Sequence, residues 1–169
     1  MMHDSYTDSH SLRNAFVANL LGRLADKMAE QGELFLLDAG LEFPSRAASS
    51  VLIIGERGKI STADIAMQLN QPHQLVTQRI ELLLGMKIIK RTGDQKDRRR
   101  KILTLTLKGQ EQFKQLQLSL AMADKVFNRL FDEIESDLTL AATRAMAALN
   151  SSSIMDRVKN IENLKCNNN

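Results

Sequence analysis

Residues 61–109 read STADIAMQLNQPHQLVTQRIELLLGMKIIKRTGDQKDRRRKILTLTLKG, and this stretch decides the fold. Ser61, with Asp64 three residues on, has the spacing of a helix-capping pair. Ile65, Ala66 and Leu69 give the helix that follows a short apolar face. Asn70-Gln71-Pro72 then breaks that helix, and Pro72 starts another. In this second helix Leu75, Val76, Ile80, Leu83 and Leu84 are expected to face the core, with His73, Gln74, Thr77, Gln78 and Glu81 together on the opposite side. Two short helices joined by a tight turn form a helix-turn-helix. After it KIIKR reads as a strand and TGDQKDRRR as a charged loop turning at Gly93-Asp94. ILTLTL alternates Leu103, Leu105 and Leu107 with Thr104 and Thr106, at strand periodicity. A strand, a basic loop and a second strand behind a helix-turn-helix make a winged helix. The expected fold class is therefore mostly α with a small β-wing.

Working outward, Leu12, Phe16, Leu20, Leu24 and Met28 recur every four residues and predict a helix from Leu12 to about Leu36. Gly40 and Pro44 punctuate the connection to a further helix. Pro44 suits its first turn, and AASSVLII is its buried part, ending near Gly55 or Gly58. Beyond the wing, Phe113, Leu116, Leu120, Ala123, Phe127, Leu130 and Ile134 step alternately by three and four, the seam of helices packed at a shallow angle. A helix from about Leu138 through Leu149 follows, and Ile154 to Leu164 extends it or forms its own. The expected organisation is a disordered start at 1–10, an N-terminal helix at 11–38, a winged-helix lobe at 44–107, C-terminal helices at 108–164 and a disordered tail at 165–169.

The 169 residues, 43% hydrophobic and 25% charged, have the composition of a globular protein rather than a disordered one. Aromatics are only 4%, so Leu, Ala, Ile and Met must fill the core, and these suit helices. The net charge of +3 decides nothing by itself, but its distribution does. From Lys87 to Lys101 eight cations stand against two anions, Asp94 and Asp97, so the rest of the chain sums to −3. A positive segment on a slightly acidic body is the footprint of a local nucleic-acid contact or of a solvated charged loop, and charge alone does not choose between them. The single cysteine, Cys166, forms no internal disulfide and has no neighbouring ligand for a metal. The polar N-terminus does not read as a signal peptide, and no apolar run approaches the ~20 residues of a membrane span. A cytoplasmic protein is expected.

DRRRKILTLTLKG, Asp97 to Gly109, resembles the wing of the multiple-antibiotic-resistance-regulator (MarR) family, followed by that family's Leu-Thr-x-Lys-Gly start of the next helix. Asp97 and Arg99, then Leu105, Thr106, Lys108 and Gly109, agree in spacing. VTQRIELLLGMKIIKR resembles the family's recognition helix and its exit, and ADIAMQLN the helix before it. The likeness runs in element order over about residues 10–150. One departure stands out. The family's glycine at the end of the recognition helix is replaced by Lys87, with Gly85 two residues earlier. Either Lys87 adopts a left-handed conformation or the helix ends sooner.

The major groove admits an α-helix, and short polar side chains read base edges. His73, Gln74, Thr77 and Gln78 supply that chemistry, and Ser61 and Thr62 at the start of the preceding helix complete the expected set on the helices. Glu81 shares the face, and sits at its distal end or accepts from a cytosine amine. In the wing, Lys96, Arg98, Arg99 and Arg100 are expected to reach phosphates, with Lys90 and Arg91 contacting them from its base. The resemblance implies that Arg99 enters the minor groove, and that Asp97 pairs with a wing arginine to hold the loop.

The resemblance also implies that the N- and C-terminal helices interlace into a homodimer, through Leu12, Phe16, Leu20, Leu116, Leu120, Phe127 and Leu130. The partner would be double-stranded DNA carrying a pseudo-palindromic operator. A small, often aromatic or anionic effector would bind between the dimer helices and the DNA-binding lobe. Oxidation-sensing members place a cysteine in the first helix; this chain has none there, which argues against thiol sensing. No cofactor and no metal are expected. His3, His10 and His73 lack metal-ligand spacing, and phosphate loops and nucleophile elbows are absent, so an enzyme is not indicated. The reading is a sequence-specific transcriptional regulator, a repressor released by an effector. Its rival is a winged-helix protein-interaction module that does not bind DNA, against which the basic wing argues.

Overall fold

The computed structural model describes residues 5–93 and 101–166, the last three by their backbone alone. A short helix α1 (Tyr6–Ser9) and a 3-10 turn (Arg13–Phe16) lead into α2 (Val17–Asp38). A second 3-10 turn (Ser45–Ala47) opens α3 (Ala48–Arg57), followed by α4 (Thr62–Gln68) and α5 (His73–Gly85). Strands β1 (Ile89–Gly93) and β2 (Lys101–Leu105) come next, then α6 (Leu107–Glu133), α7 (Leu138–Ser151) and α8 (Ile154–Cys166). The chain forms two compact units, one up to Leu120 and one from Ala121 onward.

In the first unit α3, α4 and α5 enclose a core with Ala47, Val51, Ile54, Ile65, Val76, Ile80, Leu83, Ile88, Leu103 and Leu116 at its centre, all fully buried. Removing their apolar surface from water drives the packing. The strands pair antiparallel, Ile89 opposite Leu105 and Gly93 opposite Lys101. Ile60 adds a bridge to Leu103 through two backbone hydrogen bonds of 3.3 and 2.8 Å, giving the ribbon a third, minimal strand.

One device closes four helices. At the ends of α2, α4, α5 and α6 a residue of positive φ (Gly40, Asn70, Lys87 and Glu135) turns the chain. Its N–H and that of the next residue return to the last-turn carbonyls, the Schellman arrangement. For α5 the N–H of Lys87 donates to Leu84 O and that of Ile88 to Leu83 O, both at 3.0 Å. Ile88 and Leu83 are both buried, which supplies the apolar contact that accompanies this cap. Of the two alternatives at the glycine departure, the left-handed Lys87 (φ 58) is what forms.

The start of α6 is tied to this corner. Thr106 Oγ1 donates to Lys87 O at 2.7 Å and accepts the N–H of Gly109 at 3.0 Å. The N–H of Thr106 donates to Ile88 O at 3.0 Å. The Leu-Thr-x-Lys-Gly segment therefore has a physical reason: the threonine caps one helix and anchors it to the end of another. Further along, Gln112 accepts the N–H of Glu42 at 2.8 Å and donates to Gly40 O at 3.2 Å, and Lys108 pairs with Glu42 at 2.5 Å.

Several details differ from the sequence reading. The first long helix begins at Val17, because His10 Nδ1 accepts the N–H of Leu12 and the intervening residues form a 3-10 turn. Residues 6–9, within the stretch expected to lack structure, are helical, and Asp8 pairs with Arg23 of α2 at 2.5 Å. At the other end α8 continues to Cys166, two residues into the expected tail. Leu75 is 39% exposed rather than buried. Leu107, assigned to the strand, starts α6 and is 81% exposed, because the Thr106 cap ends the ribbon at Leu105. The first compact unit extends past the expected end of the lobe at 107, because Phe113, Leu116 and Leu120 pack into its core.

In the second unit none of the α7 residues is buried. Asp137 caps α7 by accepting the N–H of Leu140 at 2.9 Å. Arg157 of α8 donates to the carbonyl of Ala148 at 2.8 Å.

Candidate nucleic-acid interface

The start of α4, one side of α5 and the base of the wing enclose a groove of about 380 Å³, lined by Ser61, Thr62, Ala63, Asp64, His73, Thr77, Arg91 and Lys101. The ordering begins at the capping pair. Ser61 Oγ accepts the Asp64 N–H at 3.2 Å and donates to the Asp64 carboxylate at 2.7 Å. This occupies the hydroxyl, and Ser61 is buried. Ser61 is thus the cap that sets the start of α4, at the edge of the groove. Thr62 is half-buried on the groove wall.

Pro72 and the left-handed Asn70 swing the chain so that α5 begins beside this wall. His73, Thr77 and Glu81 follow one another at four-residue steps, a single ridge of the helix. Thr77 Oγ1 donates to His73 O at 2.8 Å and stands 3.3 Å from His73 Nδ1. The hydroxyl proton is thus directed to the helix backbone. Gln74 and Gln78, one residue further round, are exposed and form a neighbouring ridge. This is a surface of small donors and acceptors with no large apolar side chain on these two ridges.

The wing base contributes unequally. Strand alternation puts Arg91 and Lys90 on opposite faces of the ribbon, and only Arg91 lines the groove. Lys90 is exposed on the other face. Arg91 reaches Glu81 of α5, its guanidinium 2.5 Å from the carboxylate. Lys101 also lines the groove, although the sequence reading omitted it from the contact set. The pairing of Arg91 with Leu103 and of Gly93 with Lys101 brings it there. Only the register of the ribbon could have revealed that. Lys96, Asp97, Arg98, Arg99 and Arg100 lie outside the described residues.

The residues expected to join two copies fall into two groups. Leu12, Phe16 and Leu20 are exposed on the N-terminal helices, and Phe127 and Leu130 are half-buried in the second unit. Leu116 is a correction: it is fully buried in the core of its own chain and is not available to a partner. Leu120 is half-buried against the same core. Within residues 44–107 the exposed large apolar side chains are Met67, Leu75 and Leu107, among those described. The terminal helices carry many more, among them Leu21, Leu24, Met122, Val126, Leu140, Met146 and Ile161. Among the described residues no three His, Cys, Asp or Glu side chains gather as a metal site would require. No described helix is long and apolar enough to cross a membrane.

The architecture is a winged helix-turn-helix of the kind found in DNA-binding regulators. No family model matches the chain, and no curated protein does. Solved structures do match, and those below are MarR-family winged-helix regulators, the family that residues 97–109 resemble. The Adhesin competence repressor (AdcR) from Streptococcus pyogenes superposes with a TM-score of 0.57 at 17% identity, covering 84% of this chain and 96% of its own. A cysteine-to-serine mutant of MarR from E. coli, complexed with operator DNA, gives 0.56 at 15% identity, with coverages of 80% and 96%. Reduced AbfR bound to DNA gives 0.52 at 20% identity, with coverages of 72% and 95%. At these identities the likeness is one of fold.

Proposed function

We propose that this chain is a sequence-specific, DNA-binding transcriptional regulator that acts as a cytoplasmic homodimer. The observation that carries the reading is the groove itself: the start of α4, the polar ridges of α5 and a basic wing base converge on one side of the lobe. Gln74, Thr77, Gln78 and His73 read the major groove. Gln offers a bidentate partner to adenine, and Thr a methyl contact to thymine. Lys101, with Lys90 and the wing cations Lys96, Arg98, Arg99 and Arg100, supplies the phosphate contacts, and Arg99 the minor-groove contact. The wing-tip assignments, with Asp97 as the residue that steadies the loop, rest on sequence.

Dimerisation is supported by the exposed apolar stripes of the terminal helices, since patches beyond a few hundred Å² are uncommon on a monomer's surface. A C2 dimer places two α5 helices on two half-sites about one DNA turn apart. Repression then follows from occluding a promoter. A small aromatic or anionic effector that changes the spacing of the two helices relieves it. That the fold neighbours include a repressor and DNA-bound proteins favours this reading. The chain is not assigned a catalytic role.

Fluorescence anisotropy tests the proposal, with duplexes from the region upstream of the protein's own coding sequence and from a genome-derived library. Wild type is expected to prefer one duplex over its scrambled version, with a log–log salt slope of several units, about −0.9 for each phosphate contacted. Gln78→Ala should lower the preference by about 1–3 kcal/mol at the base it reads, and Arg99→Ala should weaken binding and flatten the slope. Uniform weak binding with no preference for any library member would transfer the protein to the interaction-module class.

A further inference from the structure

Glu81 is a carboxylate on the helix face that, on the reading above, enters the major groove. It lies on the ridge of His73 and Thr77, and its Oε1 stands 2.5 Å from the Arg91 guanidinium. Glu81 belongs to α5 and Arg91 to β1, so the pair joins the reading helix to the wing base. The carboxylate is 56% exposed and the guanidinium 35%, so neither is buried by the fold. An exposed pair of this kind contributes little to stability. Its position matters more, because Arg91 is one of the two cations lining the groove.

We propose that Glu81 is a specificity-determining residue: its carboxylate holds Arg91 away from the DNA backbone and so restrains sequence-independent binding. A regulator must distinguish its operator from a vast excess of other DNA, and a phosphate contact made where no base contacts fix the helix narrows that distinction. Pairing Arg91 with Glu81 removes one such contact. This is selection by a withheld contact rather than by added attraction. Lys101, the other groove cation, has no such partner on α5 and supplies the backbone contact. The inference rests on the DNA-binding reading and deepens it.

The experiment compares wild type, Glu81→Gln, Arg91→Gln and the double variant. Each is titrated by anisotropy against a random-sequence duplex and against the best duplex selected from a random library, from about 0.05 to 0.4 M salt. Arg91→Gln alone should leave the random-duplex salt slope as in wild type. Glu81→Gln should steepen that slope by about 0.9, which amounts to about an eightfold gain per tenfold dilution of salt. Its preference for the selected duplex should shrink accordingly. Adding Arg91→Gln should abolish the gain. Thermal midpoints should agree among all four, since the pair is exposed. An unchanged slope in Glu81→Gln would overturn the proposal while leaving the DNA-binding reading intact. A gain that survives in the double variant would do the same, because repulsion alone would then set the limit. Wild type that binds every duplex equally weakly would overturn both.

Discussion

The carbonyl oxygen of Ile88 lies so near the Cα of Gly109 that a methyl group at residue 109 would stand 1.9 Å from it. Backbone meets backbone there, so no rotamer change relieves the clash. Gly109→Ala must push α6 off the end of α5 or break the Thr106 cap. We expect a loss of at least about 1–3 kcal/mol, the range of overpacked sites, read as a lower urea midpoint. Thr106→Val, which removes only the capping hydroxyl, should cost about 1 kcal/mol.

Lys87 occupies a left-handed conformation that costs an L-residue roughly 1–2 kcal/mol, and that glycine adopts freely. Part of the relief in Lys87→Gly is offset by the extra freedom of the unfolded chain, worth about 0.4–1 kcal/mol. A net gain of about 0.5–1 kcal/mol is expected in thermal or urea unfolding. Lys87→Ala, which keeps the strain and removes the charge, should leave stability nearly unchanged. Equal gains from both variants would assign the effect to charge.

Two buried serines should respond in opposite ways. Ser50 is fully buried in α3, and its hydroxyl has no hydrogen-bond partner among the described residues. Ser50→Ala removes an unmatched polar group and should be neutral or stabilising by up to about 1 kcal/mol. Ser61→Ala deletes the α4 cap and should cost about 0.5–2 kcal/mol. It should also weaken DNA binding by loosening the groove wall. A destabilised Ser50→Ala would show that its hydroxyl has a partner.

Glu33 of α2 accepts the N–H of Ser45 at 2.6 Å, across the connection into α3. The Ser45 hydroxyl first, then its N–H, and more weakly the charge of Arg46, hold this carboxyl below its ordinary value of 4.5. A depressed acid stabilises the fold above its unfolded pKa and stops doing so as pH falls through the folded one. Wild type should therefore lose stability between about pH 5 and pH 3 more steeply than Glu33→Gln. The two denaturation curves should converge at the acid end; parallel curves would dissociate Glu33 from the acid response.

The helix-turn-helix was legible in the sequence because its signals are local. Ser61 with Asp64, the break at Asn70-Gln71-Pro72 and the stripe of Val76, Ile80 and Leu83 all act within a few residues. The seam of α6 was legible as a periodicity but not as a destination. Its repeat treats Leu116 and Phe127 alike, whereas the first is buried in the lobe's own core and the second lies in another unit. Periodicity specifies a face and is silent on what covers it. Lys101 and the Glu81–Arg91 pair escaped notice for a related reason. They meet through strand register and helix position, which depend on contacts between elements rather than within one. The end of β2 was misplaced because Thr106 satisfies strand alternation and helix capping equally well. The hydrogen bond it makes to Lys87 O decides between them.

Gln112 gives the first turns of α6 a role beyond packing. Through its side-chain amide they grip the bend between α2 and α3, at Gly40 and Glu42, while six residues earlier Thr106 grips the end of α5. The same short length of helix thus ties the N-terminal arm to the end of α5. Displacing that arm would load the tail end of α5, and displacing α5 would load the arm.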